Sequence, residues 1–127
     1  MAAVNLSHER VQESPRVAII RIAGEVDSIN GRAVESYFDT VLQSEQPRHV
    51  LLDLAAVTFG GSDFFSALLF WREALMKGGG KLILFGPRPE LLSTMRILTL
   101  DRVLTIEPDQ PAALASLPPQ APSPSRK

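Results

Sequence analysis

Residues 50–69 read VLLDLAAVTFGGSDFFSALL, and this stretch decides the fold class of the chain. The run over 49–57 is almost continuously apolar, which is typical of a strand buried on both faces of a sheet. Gly60 and Gly61 interrupt the strand, and apolar residues at helical spacing then predict a helix over 62–77. A buried strand followed closely by a helix is the repeating unit of α/β domains.

The same alternation of strands and helices continues on both sides of this unit. Because such alternation places neighbouring strands parallel, with the helices packed against the sheet, the sequence predicts an α/β domain. We expect a mostly parallel or mixed sheet of four to five strands, with helices mainly on one face. In chain order, the remaining predicted elements are strands at 7–13 and 17–26, a helix at 28–43, a strand at 81–85, a helix at 90–99, a strand at 103–107 and a short helix at 110–116.

The composition fits one globular domain followed by a tail. The chain has 127 residues, 45% of them hydrophobic and 21% charged, which is enough for a single domain with its own core. The last ten residues read PPQAPSPSRK, and proline removes a backbone donor and disfavours a helix at the residue before it. We therefore expect one domain over 1–116 and a proline-rich, disordered tail over 117–127.

Composition also excludes several kinds of site and partner. The chain has no cysteine and two histidines, which excludes thiolate chemistry and a Cys-rich or His-rich metal centre. A net charge of −1 gives no overall attraction to nucleic acid. The first twelve residues lack the apolar segment of a secretory signal, and no apolar run approaches the ~20 residues that span a bilayer. We expect a cytoplasmic chain without metal, nucleic acid or membrane insertion.

The sequence contains no recognisable motif for catalysis or cofactor binding. It lacks the GxxxxGK[ST] and GxGxxG phosphate-binding patterns. The GGGK run at 78–81 lies between a helix end and a strand start, whereas phosphate loops lead from a strand into a helix. His49 begins a strand, but functional residues of open α/β sheets collect at the carboxyl ends of strands. We expect no catalytic residue, no cofactor and no enzymatic activity.

The carboxyl end of the central strand points to a functional loop. Residues 58–63 (TFGGSD) lead directly into a helix, whose free backbone N–H groups favour an anion. The sequence predicts Ser62 as the helix N-cap and Asp63 as the first helical residue. A phosphate on Ser62 would be stabilised by the same field, and a phosphorylation site can also be a cap.

The second helix carries two adjoining apolar faces. The first, which should pack on the sheet, contains Phe65 and Leu68, whereas the second contains Phe64, Ala67 and Trp71. A surface helix normally has one apolar stripe, so two imply either deeper burial or an exposed patch that meets a partner. Because aromatic side chains dominate interfaces, Phe64 and Trp71 are the predicted anchors of such a patch.

These stretches resemble the STAS domain, a family shared by bacterial anti-sigma-factor antagonists, stressosome proteins and the cytoplasmic tails of sulfate transporters. The resemblance covers roughly 17–108. It rests on 50–69, on GGGKLILFGPRPELLSTMRILTLDRVLTIEPD at 78–109, and on IAGEVD at 22–27, which is similar to the Gly-Glu-Leu-Asp turn of the family. The resemblance implies a regulatory binding module rather than an enzyme.

The resemblance also implies where a switch would lie. In the antagonists the loop before the second helix reads Asp-Ser-Ser/Thr-Gly, and an anti-sigma kinase phosphorylates the second hydroxyl. Here Phe59 matches the family phenylalanine and Ser62 the first hydroxyl, but Gly61 replaces the aspartate, Asp63 stands at the phosphoacceptor position and Phe64 replaces the glycine. A carboxylate carries one negative charge against about −1.5 to −2 for phosphate, so Asp63 would imitate phosphorylation only in part. Either Ser62 is the acceptor, or the module is not switched.

The implied partner surface comprises the loop over 59–63 and the second helix. The implied partner is an anti-sigma factor with a kinase fold or another STAS protein, and a homodimer through the face of Trp71 is a further candidate. The predicted partner-binding residues are Phe59, Gly60, Gly61, Ser62, Asp63, Phe64, Ala67 and Trp71.

Two alternative functions stay open at this point. Stand-alone STAS subunits also accompany ABC-type phospholipid-transport ATPases, and such subunits can depart from the Asp-Ser-Ser-Gly loop. A receiver-like domain with Asp53 as phosphoacceptor is the other alternative, because LLDL at 51–54 superficially resembles the end of a receiver strand. However, four more strand-like residues follow Asp53, and Lys81 lies at the amino end of its strand, which disfavours a receiver.

Overall fold

The structure, a computed structural model, describes residues 4–13 and 15–118 of the chain. It confirms the predicted α/β class, with strands and helices in the expected order. The elements are β1 (Val4–Glu13), β2 (Arg16–Val26), α1 (Gly31–Glu45), β3 (His49–Gly60), α2 (Ser62–Lys77), β4 (Leu82–Phe85), α3 (Pro89–Ile97), β5 (Thr105–Glu107) and α4 (Gln110–Ala115), with a short 3₁₀ turn at Leu100–Arg102.

The five strands form one mixed sheet in the order β1-β2-β3-β4-β5. β1 pairs antiparallel with β2, and all later pairs are parallel. Each parallel pair is joined by a connection that contains α1, α2 or α3, as crossover connections require. Because β2, β3 and β4 all run in the same direction, the carboxyl ends of β2 and β3 lie side by side.

Two apolar layers cover the two faces of the sheet. Alternate residues of β2, such as Ala18 and Ile20, face a large core cluster under α1, α2 and α3. Val17 and Ile19 face a smaller cluster on the other side, which is completed by Ala113 and other residues of α4. The prediction of helices mainly on one face is therefore confirmed.

The carboxyl-terminal boundary lies slightly beyond its predicted position. Leu117, predicted to start the tail, is partly buried and packs against the smaller cluster. The folded part therefore extends past residue 116. The rest of the predicted tail, 119–127, lies outside the described residues.

A polar network fastens the edge strand β1 to α1. The guanidinium of Arg10 donates a hydrogen bond to Glu45 at 2.7 Å and another to Glu13 at 3.1 Å, and the His8 ring is hydrogen-bonded to the Tyr37 hydroxyl. The hydrogen bond from Arg10 lowers the pKa of the Glu45 carboxyl. These contacts hold the predicted first strand, which is longer than the sequence indicated, against the helical layer.

Candidate functional site

The loop over 59–63 lies at the carboxyl edge of β2 and β3, where the sequence predicted it. Phe59 is paired with Glu25 across the sheet, and Gly60 with Val26. The Gly61 N–H donates a hydrogen bond to the Val26 carbonyl at 3.0 Å, which ties the loop to the end of β2. The loop then enters α2 without further linker residues.

The N-terminus of α2 is capped differently from the prediction. Gly61 is the N-cap, and its carbonyl accepts hydrogen bonds from the N–H groups of Phe64 and Phe65. Ser62 and Asp63 are therefore the first and second helical residues, and the prediction of Ser62 as N-cap is wrong. The reason is that extension of β3 to Gly60 leaves Gly61 as the last non-helical residue. Ser62 and Asp63 are both exposed, and α2 has no side-chain cap.

The second apolar face of α2 is buried, and this corrects part of the predicted partner surface. Phe64 and Trp71 are each 1% exposed, and Ala67 is 5% exposed. The Trp71 ring stacks on Phe38 of α1, with ring centroids 4.1 Å apart and planes 6° apart. Because α1 covers this face, the prediction of Phe64, Ala67 and Trp71 as exposed partner contacts is wrong. Deeper burial is the correct one of the two alternatives.

Gly60 is required by the burial of Phe64. A Cβ atom at Gly60 would lie 2.8 Å from Cδ2 of Phe64 and 3.2 Å from Cδ1 of Leu91, both closer than carbon atoms normally approach. The absence of a side chain at 60 therefore makes room for the Phe64 ring beneath the loop. The aromatic residue at 64 and the glycine at 60 form one structural unit.

Phe59 within this loop and Ile29 in the turn after β2 are both exposed apolar side chains. Phe59 is 52% exposed, and Ile29, in the turn that follows β2, is 87% exposed. Sequence analysis did not single out Ile29, although one signal was available. An isoleucine between the turn-forming residues Ser28 and Asn30 does not belong to the apolar periodicity of either neighbouring element.

A groove of about 220 Å³ separates the N-terminal halves of α1 and α2. Arg32 and Glu35 border it on the α1 side, and Asp63 and Ser66 border it on the α2 side. The buried residue Trp71 also lines it. Asp63 thus faces both solvent and the first turn of α1.

The comparisons with known proteins agree with this architecture. The family model of the STAS domain matches residues 9–113, which is most of the chain. The chain belongs to the STAS domain family.

Solved structures give the same STAS fold at low sequence identity. A crystal structure of an anti-sigma factor antagonist from Mycobacterium paratuberculosis has a TM-score of 0.79 and 23% identity, covering 91% of this chain and 94% of that chain. An anti-sigma-factor antagonist (STAS) domain protein from Planctomyces limnophilus has a TM-score of 0.71 and 23% identity, covering 89% and 96%. The Bacillus cell fate determinant SpoIIAA in its phosphorylated form has a TM-score of 0.66 and 17% identity, covering 87% and 97%.

The geometry at Asp53 does not resemble an exposed acyl-phosphate site. Asp53 lies inside β3, as the sequence indicated, with Oδ2 3.5 Å from the guanidinium of Arg21 and Oδ1 accepting a hydrogen bond from the Ala55 N–H. Lys81 precedes β4 and lies at the amino edge of the sheet, away from the carboxyl ends of the strands. In this STAS domain the receiver alternative has no assembled site.

The remaining sequence candidates for catalysis have structural roles. Gly78 ends α2, and Gly79 adopts a positive φ of 81°, so the glycine run terminates a helix as predicted. His49 is buried, and its Nδ1 accepts a hydrogen bond from the Lys81 N–H at 3.0 Å. Burial, together with the nearby charges of Arg48 and Lys81, lowers the pKa of His49.

The described residues contain no group of three or more His, Cys, Asp or Glu side chains that could hold a metal ion. In that same part of the chain, no helix is long and apolar enough to span a bilayer. At the carboxyl edge of β2 and β3, this STAS domain exposes the loop over 59–63 and the turn before α1, and the groove lies between α1 and α2.

Proposed function

We propose that this chain is a non-enzymatic regulatory module that acts in the cytoplasm by binding a protein partner, in the manner of an anti-sigma-factor antagonist. The observation that carries the proposal is the exposure of Ser62 and Asp63 at the first two positions of α2. The loop presents these groups at the sheet edge, while the buried Phe64 fixes the helix behind them. Two of the structural relatives are described as anti-sigma-factor antagonists, which supports this class of partner.

The partner surface of this proposal is smaller than the sequence suggested. It comprises the exposed side of Phe59, the backbone of Gly60 and Gly61, and the polar groups of Ser62 and Asp63. The face of α2 that carries Trp71 is excluded because α1 covers it. A partner would therefore approach the carboxyl edge of the sheet, along the axis of α2, and not the side of the helix.

Ser62 is the residue that we propose as phosphoacceptor. Its hydroxyl is exposed at the first helical position, where the partial positive charge of the helix stabilises an added phosphate. Asp63, at the position that the family phosphorylates, already places one negative charge in the same field. Phosphorylation of Ser62 would add to this charge, so the two residues together would set the charge of the partner surface. The phosphorylated form of SpoIIAA is a precedent within the fold.

An affinity pull-down from source-cell lysate tests the partner class. The baits are the wild type, Phe59→Ala and, as matched control, Phe70→Ala, because Phe70 is 69% exposed on α2 but outside the loop. We expect a kinase-fold anti-sigma factor or another STAS protein with the wild type and Phe70→Ala, and a several-fold lower recovery with Phe59→Ala. Recovery of an ABC-type transport ATPase would instead favour the transport alternative. Recovery of no specific partner by folded baits would refute a binding module.

Intact-mass measurement of the chain isolated from its cell tests the phosphoacceptor. We expect a fraction of molecules to carry an added mass of about 80 Da, as one phosphate does. Ser62→Ala should abolish this fraction, whereas Ser66→Ala, one helical turn further along the exposed side of α2, should retain it. Persistence of the added mass in Ser62→Ala would show that another residue accepts the phosphate.

A further inference from the structure

We infer that the partner surface extends from the loop over 59–63 to the turn over 27–30, with Ile29 as its apolar anchor. The inferred occupant is a protein surface that offers an apolar recess bordered by lysine or arginine side chains. This inference rests on the proposed function and adds to it a residue and a chemistry for the partner. Ile29 is exposed, its turn is held by hydrogen bonds, the turn adjoins the loop, and carboxylates surround both segments.

Ile29 is exposed on a backbone that its neighbours hold in place. The Asp27 carboxylate accepts hydrogen bonds from the N–H groups of Ile29 at 2.9 Å and Asn30 at 3.0 Å. The Asn30 side-chain oxygen accepts one from the Asp27 N–H at 2.9 Å, and the Gly31 N–H donates to the Asp27 carbonyl at 2.8 Å. A rigid turn that holds an apolar side chain in water loses little further entropy when a partner covers it.

The turn and the loop adjoin one another at two points. On the sheet side, a Cβ atom added to Gly61 would lie 3.7 Å from the Val26 carbonyl oxygen and 4.0 Å from the Asp27 Cα. On the helix side, a Cβ atom added to Gly31 would lie 3.9 Å from the Cβ of Asp63. A protein that contacts Asp63 therefore also reaches the turn that carries Ile29. The two segments form one continuous surface.

The charges around this surface are predominantly negative. Glu25, Glu35 and Asp63 are exposed carboxylates, and Arg32 is the exposed cation of the same turn and helix end. None of these four side chains belongs to an ion pair among the described residues. Their net negative charge favours a partner with basic side chains around the recess that receives Ile29.

A binding titration with the partner recovered in the pull-down tests the anchor. Ile29→Ala is compared with Ile97→Ala, which removes a similarly exposed isoleucine from the end of α3. Both side chains lie in solvent, so neither substitution should disturb the fold. We expect Ile29→Ala to weaken binding by about tenfold, as truncation of an interface anchor does, and Ile97→Ala to change it by less than about twofold.

The outcomes separate this inference from the proposed function. Equal binding by the two variants would overturn the anchor role of Ile29 and leave the proposed function intact. Absence of binding between the wild type and any such partner would overturn the proposed function, and the inference with it. Affinity that does not fall between about 50 and 300 mM salt, or that Glu25→Gln with Glu35→Gln leaves unchanged, would overturn the basic border of the recess.

Discussion

At the scale of single residues, the conformation of the loop over 59–63 depends on the space that its glycines leave for neighbouring side chains. Gly60 leaves space for the ring of Phe64, and Phe64 in turn fills the volume beneath the loop. Ser62 and Asp63 are exposed at the first two helical positions, and Gly61 occupies the N-cap before them. The polar groups that we propose as functional are therefore carried by a helix start whose next residue, Phe64, is buried.

Gly60→Ala should destabilise the protein. The added Cβ would lie 2.8 Å from Phe64, and overpacking of this kind costs about 1–3 kcal/mol of the free energy of unfolding. Gly31→Ala is the control, because its Cβ would lie no closer than 3.9 Å to a neighbour and alanine favours a helix. Urea denaturation measures the free energy of unfolding of both variants. Equal stability of the two variants would contradict the role of Gly60.

His49 makes stability depend on pH in a predictable direction. Burial and neighbouring cations lower its pKa in the folded state, so below the unfolded value of about 6.5 the unfolded chain binds more protons. The stability that the neutral His49 contributes is therefore fully present above about pH 6.5, the unfolded pKa, and is lost as the pH falls from there through the lowered pKa of the folded state. We expect the free energy of unfolding to drop less between pH 7.5 and 5.5 in His49→Gln than in the wild type. Parallel pH dependences would refute this.

At the scale of elements, α2 joins the sheet to the other helices. Its bounds match the predicted helix over 62–77, although Gly61 and not Ser62 is its N-cap. Both of its apolar faces are buried, one against the sheet and one against α1. The stack of Trp71 on Phe38 fixes the two helices relative to each other. This packing places the first turns of α1 and α2 next to one another, which assembles the surface around Asp63.

Trp71→Ala should cost about 3–5 kcal/mol of stability, as removal of a large buried side chain does. Phe70→Ala, at the neighbouring exposed position, should change stability by no more than about 0.5 kcal/mol. Chemical denaturation distinguishes the two. A Trp71→Ala variant as stable as Phe70→Ala would mean that the stack is not part of the core. Lost partner binding in Trp71→Ala would report unfolding and not an interface contact.

At the scale of the whole molecule, the two faces of the sheet are covered very unequally. Three helices cover one face, and the six-residue α4 with Leu117 covers part of the other. Arg21 links the uncovered part of this face to α4 by a hydrogen bond to Gln110 at 3.3 Å. The small last helix is therefore part of the core, although the sequence suggested only a short element before a tail.

A chain that ends after Pro108 should be less stable than one that ends after Pro118. The shorter chain loses α4 and Leu117 and exposes Ile19, Leu51 and Ile83 to water, which should cost about 2–4 kcal/mol. The longer chain should match the full sequence within about 0.5 kcal/mol. Thermal or urea denaturation, with binding of a hydrophobic dye, measures the difference. Equal stability of both shortened chains would contradict a structural role for α4.

The sequence by itself determined the order of elements, the α/β class and the position of the loop. Periodicity and glycine breaks are local properties of the sequence. The predicted bounds of α2 therefore match the structure at both ends, and those of β3 match it at the first residue. The site was predictable only where it depends on such local order. Phe59, Ser62 and Asp63, which stay proposed partner contacts, were predicted from their place at the junction of a strand and a helix.

Only the tertiary structure decided which of these residues meet solvent. The second apolar face of α2 fitted burial and exposure equally well, and the approach of α1 buried it. Ile29 attracted no prediction, although the hydrogen bonds between Asp27 and Asn30 that fix its turn are local, because its isolated place between polar residues does not by itself say whether another element covers it. The physical reason is that periodicity records which side chains are apolar, whereas burial depends on which neighbouring element packs over them.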